Sequence, residues 1–237
     1  MLTYRDFFDL TDFPFPDLFR DDVWVWEALG DLKPWLLAYL REHGGRIDGT
    51  VASTAALHGD NIIVEEGAVI EDHVCISGPA IICRGAEVKQ GAFLRDACIV
   101  GPDAVMGHAG EMKNSILLNE AKAPHFAYVG DSILGVDTNL GAGTKLSNLP
   151  VSSTKDDDGK RSTISILVTG EQVDTGRAKL GAIIGDRSQT GCNSVTNPGT
   201  LIGKDTLIYP NVSLAKGYYP DQQIVKLRQE IEVVARR

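Results

Sequence analysis

Between Lys113 and Asn139 the chain gathers Lys113, Lys122, His125, Tyr128, Asp131 and Asn139. The set joins cations and hydrogen-bonding groups to one imidazole, which as a neutral ring can take a proton from a nucleophile. Arg95 lies 18 residues before Lys113. In a fold whose coils repeat at that interval, the two cations project one above the other from the same edge. Stacked like charges repel unless an anion sits between them, and a phosphate suits that place. Two solvated surface charges are the alternative. A second stretch, Asn139-Leu140-Gly141-Ala142-Gly143-Thr144, sets a glycine on each side of Ala142. Glycines let a backbone N–H approach a ligand closely, and such a donor can stabilise an oxyanion. A tight structural corner would look the same.

The elements that must hold these residues follow from a hexapeptide period. Cut into sixes from Val64, the chain places Val64, Ile70, Ile76, Ile82, Val88, Leu94, Val100, Met106 and Met112 in the first slot. The fifth slot holds Ala68, Val74, Ala80, Ala86, Ala92, Cys98, Ala104, Gly110 and Ile116. A six-residue period marks a parallel β-helix. Each unit is a short strand and a turn, three units make one coil, and coils stack about 4.8 Å apart. The first slot points inward and the small fifth slot fits the corner. Periodicity alone does not set the hand of the coil. The register loosens after Leu117 and resumes at Val129, Leu134, Leu140 and Leu146. It returns later at Ile184, Thr190, Thr196, Ile202, Ile208 and Leu214.

The rest of the chain divides around that stack. Residues 1–45 read as an aromatic arm with Phe7, Phe8, Phe13, Phe15 and Phe19, followed by two helices. The first helix spans Val23 to Leu29 behind an Asp21 or Asp22 cap. The second runs from Trp35 to Glu42, with Pro34 in its first turn and Gly44-Gly45 ending it. Trp24 and Trp26 are expected to pack on the open end of the prism. Coils occupy 46–148 and 181–219. Residues 149–180 interrupt them with a β-hairpin arm projecting from the prism, its strands meeting at Thr169-Gly170. Residues 220–237 read as a helix with Ile224, Leu227, Ile231 and Val234 on one face. The net charge of −9 argues against non-specific binding to nucleic acid or anionic membrane. No apolar run reaches a membrane span, and the acidic N-terminus lacks the layout of a signal peptide. The four cysteines form no CxxC pair and are read as reduced thiols of a cytoplasmic protein.

Lys113, the run Pro124 to Asn148 (PHFAYVGDSILGVDTNLGAGTKLSN) and the run Ile183 to Asn193 (IIGDRSQTGCN) resemble one known domain. It is the left-handed β-helix acetyltransferase domain of bifunctional N-acetylglucosamine-1-phosphate uridyltransferase/glucosamine-1-phosphate acetyltransferase. The resemblance covers residues 46–148 and 180–217. The stretch GRAKLGAIIGD also resembles sugar-phosphate nucleotidyltransferase-like proteins that share this domain. The resemblance implies a cytoplasmic homotrimer of left-handed prisms serving cell-wall precursor supply, with active sites between subunits. It sets His125 at the catalytic base position, with Asn139 orienting the amine or the base. Arg95, Lys113 and Tyr128 match positions that hold the sugar and its phosphate, and Asn148 is a further substrate-side position. Ala142, Cys192 and Pro210 match the acetyl-CoA groove. The implied reaction is transfer of an acetyl group from acetyl-CoA to an amino-sugar phosphate, with no metal.

The chain departs from that pattern after Asn148, where Leu149-Pro150-Val151 replaces Tyr-Asp-Gly and Lys155 is displaced. Cys192 replaces a serine. No glycine-rich phosphate loop precedes the coils, so uridylyl transfer is not expected of this chain. Two other readings stand beside the acetyltransferase. One is a non-catalytic trimeric binding module. The other is a metalloenzyme of the γ-carbonic-anhydrase kind, with His73, His108 and His125 roughly along one edge.

Overall fold

The aliphatic first slots turn inward. From Val64 to Met112 each is at most 1% exposed, and together they form one continuous core. The structure, a computed structural model describing residues 1–236, is a parallel β-helix with one long N-terminal helix.

Its strands form three faces. The first contains Ile62–Val64, Ala80–Ile82, Ile133–Leu134, Ala182–Ile184, Thr200–Ile202 and Gly217–Tyr219. The second contains Val69–Ile70, Glu87–Val88, Val105–His108, Lys122–His125, Asn139–Leu140, Gln189–Thr190 and Leu207–Ile208. The third contains Cys75–Ser77, Tyr128–Gly130, Lys145–Leu146, Val195–Thr196 and Ser213–Leu214. Phe93–Val100 and Glu111–Leu117 run from the third face round a corner onto the first. Corners are turned by residues at positive φ, and these stack in columns. Asp103, Glu120, Asp137, Arg187 and Asp205 stand at the corner between the first and second faces. Ala109, Phe126, Gly143, Asn193 and Asn211 turn the next corner, and Asp96, Asn114 and Asp131 the third. Asx side chains tolerate this conformation.

The slip near Leu117 has a local cause. Asp96 and Ala97 both have positive φ, whereas one coil on Asn114 alone turns the corner. The ladder register therefore shifts between Lys113 and Ser115. Ser115, not Ile116, takes the corner slot beside Cys98, and Ile116 points outward into a second core.

That second core lies on the outer side of the first face. Ile63, Ile81, Ile99, Ile116, Ile133, Ile183 and Leu201 are all at most 1% exposed there. Phe7, Phe8, Phe13, Phe15, Phe19 and Trp26 cover them, with Leu32, Leu36 and Leu40 of helix α1 (Ala28–His43). Asp186 fixes the arm: its carboxylate accepts from the N–H of Asp9 (2.7 Å) and of Val136 (2.8 Å). Burial raises the Asp186 carboxyl above its ordinary value.

Four expectations are corrected. The two N-terminal helices are one: Val25–Glu27 forms a 3₁₀ turn leading into α1, and Pro34 lies inside the helix. The apolar stripe packed on the first face outweighs the N–H that proline lacks. Trp26 packs in the second core on the flank of the prism, not at its open end, and stacks on Trp24 at 4.8 Å. The hairpin Ser165–Val168/Glu171–Asp174 does not project, because its Ile164, Ile166 and Val168 are buried in the same core. The C-terminal helix is absent among the described residues; Arg237 lies outside them. Tyr219 and Val225 instead extend the first two faces, pairing with Ile202 and Ile208. An unfilled sheet edge supplies backbone partners at once, whereas a short helix needs an apolar surface to pack on. Leu227, Ile231 and Val234 find none and stay exposed. The inserted segment leaves the stack unbroken, since Leu134, Leu140 and Leu146 pair directly with Ile184, Thr190 and Thr196.

Candidate functional site

All the candidate residues but Asn139 fall into two groups at opposite edges of the third face. At the corner where the second face turns into the third, His108 and His125 are ladder partners. Backbone hydrogen bonds carry that column onward. Gly143 N–H donates to the His125 carbonyl (2.9 Å), Asn193 N–H to Ala142 (2.8 Å) and Asn211 N–H to Cys192 (3.0 Å). His125, Ala142, Cys192 and Pro210 therefore stand one beneath another on successive coils. The base candidate and all three coenzyme candidates share this line.

The local sequence explains the line. A side chain at Gly141 would meet Gly191 and Cys192 backbone within 2.6 Å, and Gly143 sits at φ +73. Both glycines are needed for the backbone to pass close to the next coil. Among the described residues the Ala142 N–H has no acceptor. Below it, Thr190, Gly191, Leu207, Tyr209 and Pro210 line an open groove. His125 and Cys192 are exposed. Asn139 is half-buried on the second face, stacked between Lys122 and Gln189. The next residue after His125, Phe126, holds φ 53 and packs its ring edge-on against His108 at 5.3 Å.

At the far edge of the third face, Arg95 and Lys113 are ladder partners, as their spacing requires. They do not face each other bare. Arg95 binds Glu111 through Nε (2.8 Å), and this pairing raises the guanidinium pKa further. The Lys113 ammonium lies between Asp131 (3.3 Å) and Asp96 (3.6 Å). Asp131 also accepts from the side-chain amides of Asn114 and Asn148, and the Tyr128 hydroxyl donates to Asn148 Oδ1 (3.4 Å). Burial, then the nearby Glu111 charge, raises the Tyr128 hydroxyl above its usual value. Lys113, Tyr128 and Asn148 thus belong to one hydrogen-bonded network through Asp131, and the Arg95–Glu111 pair stands beside it on the neighbouring strands. Three carboxylates, Glu111, Asp96 and Asp131, complete this polar cluster. Only Asp131 was singled out by sequence; the others became visible once strands were laid side by side.

His73 lies one position beyond the residue aligned with Gln90 and His108, at a left-handed corner (φ 60). Among the described residues no group of three or more His, Cys, Asp or Glu side chains is disposed to hold a metal ion. No helix among them is long and apolar enough to cross a membrane. All four cysteines are free.

Comparison with known proteins bears on this arrangement. Residues 76–179 match the family described as the GMPPB C-terminal domain. The chain is 35% identical over 170 residues to a bifunctional sugar-1-phosphate nucleotidylyltransferase/acetyltransferase of Sulfurisphaera tokodaii, covering 64% of this chain and 40% of that protein. It is 34% identical over 212 residues to the bifunctional protein GlmU of Methanococcus maripaludis, covering 90% of this chain and 48% of that one. A mutant of perosamine N-acetyltransferase from Caulobacter crescentus, solved in complex with CoA and GDP-perosamine, is 23% identical. That match spans 55% of this chain and 64% of the other, at a TM-score of 0.32. The chain spans about half the length, or less, of the curated relatives it matches. It is related in sequence to GlmU-like bifunctional proteins over most of its own length.

Proposed function

We propose, from this kinship with GlmU-like proteins, that the chain is an acetyl-CoA-dependent N-acetyltransferase. Its acceptor is an amino-sugar phosphate such as glucosamine-1-phosphate, or a sugar nucleotide. The observation that carries the reading is the column His125–Ala142–Cys192–Pro210 across the third face from the Arg95–Lys113–Tyr128–Asn148 network. Acetyl-CoA lies along the column, over the groove beside Pro210. The acceptor phosphate is held by Arg95 and Lys113. Neutral His125 removes a proton as the amine attacks the thioester carbonyl, and Asn139 orients the amine. The Ala142 N–H takes the developing oxyanion, and coenzyme A leaves. No step calls for a metal. The protein works in the cytoplasm as a homotrimer, so that one subunit's column meets a neighbour's acceptor network.

A second reading is a non-catalytic trimeric binding module. It is favoured by the pairing of both cations with the chain's own carboxylates. Turnover of acetyl-CoA with glucosamine-1-phosphate and a panel of amino sugars separates the two. The enzyme reading expects activity in the wild type and a loss of about 10²- to 10⁴-fold in His125→Ala, the range for a general base. Equal rates in the two proteins would remove His125 from the mechanism. Absence of both turnover and acetyl-CoA binding would leave the module.

A further inference from the structure

The N-terminal helix reaches the acceptor network. Lys33 of α1 binds Asp96 Oδ1 at 2.7 Å, while the other oxygen of Asp96 lies 3.6 Å from the Lys113 ammonium. The Asn114 side-chain amide donates to the Leu29 carbonyl of the same helix (3.3 Å) and to Asp131 (2.9 Å). Asp96, Asn114 and Asp131 are the three left-handed corner residues of successive coils. The helix therefore touches two of the three corners that frame Lys113. The Lys113 side chain is 15% exposed and the Asp131 side chain 8%, so their charges are poorly screened. The Asp96–Lys33 pair is 42% and 52% exposed.

The charges around the network decide what it can hold. Its carboxylates are Glu111, Asp96 and Asp131, and its coil-borne cations are Arg95 and Lys113. Without the helix, acids outnumber cations by one, and an incoming phosphate meets net negative charge. We propose that Lys33 is the positioning residue that admits an anionic acceptor: it shares Asp96 with Lys113 and offsets that carboxylate's charge, so the ligand's phosphate can compete for the Lys113 ammonium. Lys33 touches no reacting atom and acts through Asp96 and Lys113. The contact also has an electrostatic signature, because the Lys33 hydrogen bond holds the Asp96 carboxyl below its ordinary range. An exposed pair of this kind contributes little to stability, so its consequence is expected in binding.

This inference rests on the acceptor site proposed above and makes it selective for phosphorylated over neutral amino sugars. The test compares wild type, Lys33→Met and Lys33→Arg with glucosamine-1-phosphate and with glucosamine. Acetyl transfer and isothermal calorimetry are run on the same proteins. Lys33→Met is expected to raise KM and Kd for glucosamine-1-phosphate about fivefold. Values for glucosamine, the KM for acetyl-CoA and kcat stay within about twofold, because no other contact is touched. Lys33→Arg restores the phosphate preference, and added salt narrows the gap between wild type and Lys33→Met. Unchanged constants, or an equal loss for both acceptors, overturn the proposal. If the wild type transfers no acetyl group, the enzymatic reading fails on its own account. Calorimetry then decides this inference: selective weakening toward the phosphate supports it, and absent or unselective binding overturns it.

Discussion

The first and third faces of the prism are built from the same repeat and share one inner core, yet their outer sides differ. Outside the first face stands a column of aliphatic residues, Ile63, Ile81, Ile99, Ile116, Ile133, Ile183 and Leu201, sealed by the aromatic arm, α1 and the hairpin. Outside the third face stand Phe93, Glu111, Tyr128 and Lys145 in one column and Arg95 and Lys113 in the next. Among the described residues no segment covers the ladder of Phe93, which stays 37% exposed. A single β-helix thus assigns one face to packing and leaves another open for polar groups. The inner core makes both arrangements stable, because each strand is already held from within. The comparison also places Lys33 in context: α1 is committed to the first face, and only its edge reaches the polar network.

The largest expected effect tests whether the covered face is a true second core. Leu94 points into the prism and Ile99 points out of it, and both are 0% exposed. Truncation of a buried leucine or isoleucine to alanine costs about 2–5 kcal/mol. Ile99→Ala is therefore expected to lower the unfolding free energy by about as much as Leu94→Ala, within that range. Urea unfolding followed by circular dichroism measures both. A cost for Ile99→Ala below about 1 kcal/mol, the scale of surface substitutions, would mean that the arm and helix only rest on the prism.

This second core explains what the sequence displayed and what it concealed. The inward slots were legible because six-residue spacing has one cause, a side chain aimed at the prism axis. The residues preceding them on the first face, Ile63, Ile81 and Ile99, recur every 18 residues, and strands buried on both sides read as continuous apolar runs. Their longer period is masked by the stronger short one. The C-terminal segment misled for a related reason. Ile224, Leu227 and Ile231 fit a helical face, but Ile224–Val225 is also the next strand of the second face, and the open edge of the stack wins. At the site, Arg95 and Lys113 were legible because ladder partners follow from coil length. Glu111, Asp96 and Lys33 were not. Glu111 reaches Arg95 diagonally between neighbouring columns, Asp96 stands at a corner and Lys33 comes from the helix, and the 18-residue repeat alone announces none of these contacts.

An intermediate effect concerns the corner where the two faces meet. Cys98 is buried there, its thiol directed at the Arg95 and Met112 carbonyls. Burial pushes the thiol up to about 12, against about 8.5 for an unfolded cysteine. The native state therefore favours the neutral thiol. Its contribution is complete below the unfolded value and is lost as pH rises toward the folded one. Burial moves Cys83 in the same direction. Stability should fall between about pH 9 and 12, with Cys98 accounting for roughly 1 kcal/mol per pH unit. Cys98→Ala places the residue usual for that slot, so it should keep the fold and flatten the slope. Denaturant midpoints at pH 8 and pH 10.5 provide the measurement. The same steepness in wild type and variant would assign the alkaline loss to other groups.

The smallest effect lies at the corner between the first and second faces, where neither side of the comparison applies. Arg187 and Asp205 are corner residues of adjacent coils, and the guanidinium meets both carboxylate oxygens at 2.7 and 2.8 Å. The pairing raises Arg187 and lowers Asp205 from their ordinary values. The geometry is bidentate, the best that an exposed pair can have. Even so, the side chains are 50% and 39% exposed, and such pairs contribute about 0–1 kcal/mol because water screens them and ordering them costs entropy. Arg187→Gln should thus lower stability by less than about 1 kcal/mol, and 0.5 M salt should erase most of the difference. The backbone at this corner hangs on main-chain bonds, Arg187 N–H to the Val136 carbonyl and Asp205 N–H to the Asp186 carbonyl, that the substitution leaves intact. A loss as large as that of Ile99→Ala would show that corner charges, and not buried side chains alone, hold successive coils in register.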